Sequence, residues 1–202
     1  MTAALKVRGI KPDVCAGFSL GEFSALYGSG VLSMDDTIKL VWQRGKIMQK
    51  LCDEIAQNNV NKKMPGMAAV IGLEPTKVLE IVNNLDFSVS GKNVFAANMN
   101  SPKQTVIAGS AEGLEKAEIA LKEAGARRVI RLKVAGPFHS PLMEKAGEEF
   151  AKVLDDITFN NPNKILLSNV TGGEVKESIT IKENLIKHFT HPVLWPDEEK
   201  VL

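Results

Sequence analysis

The 202-residue chain has 25 basic and 24 acidic residues, a formal net charge of +1, and a hydrophobic content of 44%. That is enough apolar sequence for a substantial core, in one domain or one domain with an insertion, and the balanced charge gives no electrostatic footprint for nucleic acid. No apolar run reaches the roughly 18 residues of a membrane span, and no signal-peptide segment opens the chain. Two cysteines and three histidines predict neither a disulfide framework nor a metal site, and a cytoplasmic location is expected.

The first part of the chain alternates helix and strand. Ser33 and Asp36 have capping-box spacing, with Asp in place of the usual Glu, and predict the start of a long helix. The predicted elements are the tail of a helix at 3–8, a strand at 14–16, a helix at about 20–27 and the long helix to about residue 57.

The middle of the chain has a different order of elements. Apolar patterning predicts a strand at 66–72, a helix at 75–85, strands at 94–98 and 104–108, a helix at 111–124 and a strand at 127–132. This β-α-β-β-α-β order is typical of a ferredoxin-like subdomain, which we place at residues 63–132. Residues 58–63 are the predicted linker that leads into it.

The residues after 132 are predicted to belong, with residues 1–62, to a larger core. A helix near 141–154, a strand near 164–168 and a helix near 180–189 follow the predicted subdomain. The fold class is therefore α/β: an incomplete hydrolase-like, parallel-sheet core at 1–62 and 133–202, with the small subdomain inserted.

Ser19 lies in a Gly-x-Ser-x-Gly motif between the first predicted strand and the following helix. A sharp strand-to-helix turn of this kind exposes the serine Oγ, and Gly17 and Gly21 are expected to avoid side-chain collisions with the flanking elements. The helix N-terminus offers backbone N–H groups and the positive end of a dipole to a developing oxyanion. The motif predicts a nucleophile, although alone it is common to many hydrolases.

His139 is the candidate base, since a serine hydroxyl needs a group that takes its proton. It lies in a Gly-Pro turn just after a strand. The alternative is a loop histidine whose ring is satisfied by backbone carbonyls. His188 and His191 are expected at the exposed exit of a helix, and no Asp or Glu is marked as a third triad member.

Arg44 is unusual because of its place on the long helix. At about 100° per residue it projects from the apolar face, beside Leu40 and Met48. A buried guanidinium needs an anionic partner. The alternatives are an ion pair with a carboxylate of the protein and a bidentate contact with a substrate carboxylate.

Several segments together resemble the malonyl-CoA:acyl carrier protein transacylases. The resemblance keeps its order across nearly the whole chain. The segments are AGFSLGEFSAL at 16–26, RGKIMQ at 44–49, NMNSP at 98–102, QTVIAG at 104–109, GPFHS at 136–140 and PVLW at 192–195.

The resemblance implies an acyltransferase that moves a malonyl group from coenzyme A to an acyl carrier protein thiol, in fatty acid biosynthesis and without a cofactor. It implies Ser19 as the acylated nucleophile, His139 as its base, Arg44 as the anchor for the malonyl carboxylate and the Leu20 N–H as an oxyanion donor. Phe138 resembles the residue whose ring crowds an α-methyl branch in malonyl-selecting members, a discrimination of about 1–3 kcal/mol.

The chain departs from the family pattern in two respects. Phe18 replaces a histidine beside the nucleophile. The family's earlier Gly-Gln-Gly loop, with a second oxyanion donor, and its later Gly-Pro-Gly segment are absent, so we expect N- and C-terminal segments to be missing. A Ser-His esterase or thioesterase and an inactive fragment of the transacylase remain the alternative functions.

Overall fold

The computed structural model describes residues 1–58, 63–85 and 93–202, and it is a mixed α/β structure. The predicted linker at 58–63 lies mainly outside the described residues. Within them the helices are α1 (Thr2–Val7), α2 (Gly21–Gly28), α3 (Met34–Gln57), α4 (Pro75–Asn84), α5 (Ala111–Glu123), α6 (Glu144–Leu154), α7 (Ser178–Lys187) and α8 (Trp195–Glu199). The strands are β1 (Val14–Cys15), β2 (Gly66–Ile71), β3 (Val94–Ser101), β4 (Gln104–Gly109), β5 (Arg128–Arg131), β6 (Ile165–Ser168), β7 (Gly173–Glu174) and β8 (Val193–Leu194).

A local signal accounts for the start of the long helix α3. The Ser33 hydroxyl accepts a hydrogen bond from the Asp36 N–H at 3.0 Å and donates to the Asp36 carboxylate at 2.6 Å, which confirms the predicted cap. The buried residues of α3 include Leu40, Arg44 and Ile47, so the predicted apolar face is the buried one. No described helix is both long enough and apolar enough to cross a membrane.

Two sheets organise the described chain. The smaller has the strand order β1-β6-β7, in which β1 and β6 are parallel and β7 is antiparallel to β6. The larger has the order β5-β2-β4-β3-β8, antiparallel except for the last pair. Because β8 comes from residues 193–194, this sheet extends beyond the segment 63–132 in which its other four strands lie.

One face of the large sheet is covered by helices, and the other face points toward the rest of the molecule. Helices α4 and α5 cover the first face, with Val78, Ile107 and Leu121 fully buried there. A second core, around Phe23 and Phe150, joins α2, α3, α6 and the small sheet. Phe138 packs against this core and against Met67, Ala97 and their neighbours on the open sheet face, so it marks the junction where the candidate site lies.

Candidate active site

Ser19 occupies the turn between β1 and α2 in a strained backbone conformation. Its φ is +49°, in the left-handed region that residues with a side chain rarely adopt. A Cβ added at Gly17 would collide with the Gly21 backbone, so the turn needs glycine there. The same prediction for Gly21 is wrong, because a Cβ at that position would meet no atom within 4 Å.

His139 lies next to the Ser19 hydroxyl. Its Nε2 is 2.8 Å from Ser19 Oγ, and its Nδ1 is 2.9 Å from the backbone oxygen of His188. A carbonyl oxygen can only accept, so Nδ1 carries the proton and Nε2 is free to accept from the serine. The backbone carbonyl takes the place of an acidic third member of a triad. His139 also has a positive φ, +56°, and with Ser19 makes up the non-glycine residues of positive φ in the described chain.

The His139 ring is buried, and this sets its protonation state. Burial, and then the charge of Arg44, lower the pKa of His139 to about 4. The ring is therefore neutral at pH 7, which is the form that can accept the serine proton.

Arg44 reaches the same place from α3. It is 7% exposed, and its Nη2 donates to Ser19 Oγ at 3.4 Å. Arg44 takes part in none of the ion pairs found among the described residues, and its Nε has no hydrogen-bond partner there. Burial lowers the pKa of Arg44 to about 10, so it stays charged at neutral pH. The alternative of a direct ion pair within the protein is therefore not observed.

A cavity of about 240 Å³ opens beside these three side chains. It lies between α3, the His139 turn and the open face of the large sheet. Its lining residues are Phe18, Ser19, Arg44, Met48, Met67, Asn98, Phe138 and His139. The cavity thus combines an apolar wall with a nucleophile, a base and an unpaired cation, a combination suited to a small anionic acyl group.

Of the remaining predicted residues, Phe138 lines the cavity, and Leu20 follows Ser19 in the turn before α2. Leu20 directly precedes α2, and its N–H has no hydrogen-bond partner among the described residues. Phe138 and Phe18 both line the cavity, and Phe18, which is 38% exposed, also contacts the Trp195 ring edge-on at 5.6 Å between centroids. The structure thus brings Ser19, Arg44, Phe138 and His139 to one cavity, and Leu20 directly follows Ser19 in the chain.

Asn169 is a site residue that the sequence did not predict. It is fully buried, and its Oδ1 accepts from the Ser19 N–H at 2.6 Å. A positional signal existed: Ser19 follows β1, Asn169 follows β6, and the C-terminal ends of adjacent parallel strands meet at one edge of a sheet.

Three further ionisable groups surround Asn169. Glu22, His188 and Glu198 are 3%, 1% and 0% exposed. The expectation of an exposed His188 is wrong, because His188 shares a helix face with Ile181 and Leu185, which are buried. Glu22 lies three and four residues before Ala25 and Leu26 on α2, and this helical spacing likewise indicates that Glu22 is buried. The helix α8 has only five residues, which is too short for such a pattern to indicate that Glu198 is buried.

Burial suppresses charge in this cluster. It raises the pKa of Glu22 to about 8 and that of Glu198 to about 7, and it lowers the pKa of His188. Glu22 Oε2 lies 3.5 Å from His188 Nε2. At neutral pH the proton of this pair therefore resides on Glu22, and His188 is neutral.

Known proteins resemble this chain along almost all of its length. It is 40% identical over 188 residues, 93% of the chain, to a malonyl CoA-acyl carrier protein transacylase of Haemophilus influenzae, of which it covers 57%. The crystal structure of an acyl carrier protein S-malonyltransferase from Vibrio cholerae superposes with a TM-score of 0.86 at 36% identity, covering 97% of this chain and 61% of that one. A malonyl-transacylase solved in complex with a type II polyketide synthase acyl carrier protein superposes with a TM-score of 0.85 at 33% identity, covering 99% and 62%.

The chain spans about 57% of the length of that curated relative. The sequence model of the acyl transferase domain matches residues 1–198, which is nearly the whole chain. The chain therefore belongs to the acyl transferase domain family.

Proposed function

We propose that this chain carries the acyl-transfer site of an S-malonyltransferase, which moves a malonyl group from coenzyme A to the thiol of an acyl carrier protein in fatty acid biosynthesis. The observation that carries the proposal is the buried, unpaired guanidinium of Arg44 at 3.4 Å from Ser19 Oγ. A guanidinium fork binds a carboxylate bidentately, so it selects an acyl group with a carboxylate a short distance from its thioester. The names of the transacylase relatives support the same donor and acceptor.

The first half-reaction follows from the Ser19–His139 geometry. Ser19 Oγ attacks the thioester carbonyl carbon while its proton passes to His139 Nε2. The Leu20 N–H stabilises the developing oxyanion. When the C–S bond breaks, the coenzyme A thiolate takes the proton from His139 Nε2 and leaves malonyl-Ser19.

The second half-reaction reverses these steps with a different thiol. The carrier-protein thiol loses its proton to His139 Nε2 and attacks the acyl carbon, and Ser19 Oγ leaves and recovers the proton. Arg44 holds the carboxylate throughout, while Phe138 crowds the carbon between the two carbonyl groups and disfavours a methyl branch there. No cofactor is required by this sequence of steps.

The architecture we propose for this site is a hydrolase-like core at residues 1–62 and 133–202 with a ferredoxin-like subdomain at 63–132. The parallel β1–β6 pair and the strand-turn-helix around Ser19 support the first part. The order β5-β2-β4-β3, with two helices on one face, supports the second.

Incubation with malonyl-CoA followed by intact-mass measurement tests the proposal. We expect the mass of one malonyl group to be added at Ser19 and to be removed when an acyl carrier protein bearing its pantetheine thiol is supplied. Faster release to water than to the carrier thiol would favour the esterase. A folded sample that forms no adduct would indicate an inactive fragment.

Acylation is expected to persist in mildly acidic solution. Burial and Arg44 lower the pKa of His139 from 6.5 to about 4, and the neutral ring is the base. At pH 5 about 3% of an ordinary histidine is neutral, against about 90% of a group with a pKa of 4. The initial rate of adduct formation at pH 5 should therefore stay within about threefold of its value at pH 7.

The matched control for this profile is Glu198→Gln, which removes the ionisation of Glu198 near pH 7. Rapid-quench mass spectrometry on both proteins gives the comparison. A midpoint near pH 6.5 in both would contradict a depressed pKa at His139.

A further inference from the structure

Asn169 connects the nucleophile turn to the buried acid of α8. Its Oδ1 accepts from the Ser19 N–H at 2.6 Å and lies 3.2 Å from His188 Nε2. Its Nδ2 donates to the Gly17 carbonyl at 2.9 Å and to Glu198 Oε1 at 2.7 Å. Both residues that flank Phe18 in the turn are thus hydrogen-bonded to one side chain.

The orientation of the Asn169 amide determines whether it can hold Ser19. If the amide were reversed, its NH₂ group would face the Ser19 N–H, and two donors would oppose each other. Gly17 and Glu198 both present acceptors to Nδ2, and the Glu198 contact is the shorter of the two. Glu198 therefore favours the one orientation in which Oδ1 faces Ser19.

Glu198 itself is poorly accommodated by the fold. It is completely buried, and its Oε2 has no hydrogen-bond partner among the described residues. A second buried carboxyl, Glu22, accepts from the Asn169 backbone N–H at 3.1 Å, and a negative charge on Glu198 raises the pKa of Glu22 further. A buried carboxyl with one oxygen left without a hydrogen-bond partner destabilises the fold. The contribution of Glu198 is therefore to the arrangement of the site and not to stability.

We propose that Glu198 is a positioning residue for Ser19 and acts through the side chain of Asn169. By fixing the amide it holds the Ser19 N–H, and so keeps the backbone at a φ of +49°, with Oγ directed at His139. Misplacing a nucleophile by about 1 Å lowers a rate by about a hundredfold. The inference rests on the proposed role of Ser19 as the nucleophile, but not on the identity of the acyl group.

A fluorophosphonate probe tests the inference because it reports the reactivity of Ser19 without using Arg44 or malonyl-CoA. Its reaction joins Ser19 Oγ to phosphorus and releases fluoride, with the serine proton passing to His139. Glu198→Gln keeps an oxygen acceptor for Asn169 Nδ2, whereas Glu198→Met has a similar length and no oxygen acceptor, only a weakly accepting sulfur. Glu183→Met, at an exposed position on α7, is the matched control.

Intact-mass spectrometry would give the rate of labelling for each variant, and thermal melts would establish folding. We expect Glu198→Gln and Glu183→Met to label within about threefold of wild type, and Glu198→Met to label at least about tenfold more slowly. The Glu198→Met protein should also lose kcat for malonyl transfer at an unchanged KM for malonyl-CoA. If Glu198→Met lacks a cooperative melt, Glu198→Ala takes its place.

Two results would overturn the inference. One is a folded variant without the acceptor that labels at the wild-type rate. The other is an equal loss in Glu198→Gln and Glu198→Met, which would assign the effect to charge. Wild-type protein that reacts with the fluorophosphonate but forms no malonyl adduct would contradict the proposed function alone.

Discussion

Replacing Ser19 by alanine is expected to abolish the malonyl adduct and to reduce transfer to the carrier protein to background. In the proposed mechanism the acyl group is carried by Ser19 Oγ, which lies 2.8 Å from His139 Nε2. Replacing His139 by alanine should leave the nucleophile in place but slow acylation by about 10²–10⁴-fold, the usual contribution of a positioned general base. Intact-mass time courses with malonyl-CoA measure both effects.

The matched control for this pair is Ser24→Ala, an exposed serine on α2 five residues after Ser19. It should acylate at the wild-type rate. An adduct that persists in the Ser19→Ala protein would place the nucleophile elsewhere. Equal adduct rates in wild type and a folded His139→Ala protein would remove His139 from the proton transfer.

Replacing Arg44 by methionine is expected to reduce malonyl transfer by about 10²–10³-fold. A charge-assisted pair in a buried site is worth about 2–5 kcal/mol when one partner is removed, and 1.4 kcal/mol corresponds to tenfold. Acetyl-CoA has no carboxylate to lose, so acylation with it should change by less than about threefold. The ratio of kcat/KM for the two donors measures the effect.

The same substitution should not destabilise the fold. The Arg44 guanidinium is buried at 5.8 and 5.7 Å from the ring centroids of Phe23 and Phe189, and it takes part in none of the ion pairs of the described residues. Exchanging an unpaired buried charge for an apolar side chain of similar length removes a desolvation penalty. We expect an equal or higher melting temperature, with Lys46→Ala on the exposed side of α3 as the control. Equal losses for both acyl donors would exclude the anchor role.

Helical periodicity identified one of the predicted site residues, Arg44, and could have identified two more. Arg44 was identified because it falls on the apolar face of α3, and it is indeed buried. The same periodicity would have placed Glu22 and His188 inside the molecule, since each lies three or four residues from buried apolar positions on its own helix. His188 was instead expected at the surface because it stands at a helix end, where sequence pattern distinguishes poorly between a buried cap and an exposed exit.

The contacts around the nucleophile could not be predicted in this way. Asn169 is 150 residues from Ser19 in the sequence, and their hydrogen bond depends on the parallel pairing of β1 and β6. The partner of His139 Nδ1 is a backbone carbonyl, which every residue possesses and no sequence pattern marks. Gly21 is a prediction that the structure contradicts. The motif suggested that a side chain at this position would collide with its surroundings, but the turn has room for a Cβ there.

The sequence by itself determined most of the helices and strands, which helix faces are apolar, and which residue types with nucleophilic, basic and anionic-ligand chemistry the chain offers, but it did not predict β7, β8 or α8. These properties are local, because hydrogen bonding and side-chain direction repeat every two or 3.6 residues. Only the tertiary structure decided that Ser19, His139 and Arg44 converge on one cavity and that Asn169 and Glu198 lie behind the nucleophile. Those contacts join residues up to 150 positions apart, and their geometry is set by strand pairing and by the packing of the large sheet against α3 and the His139 turn.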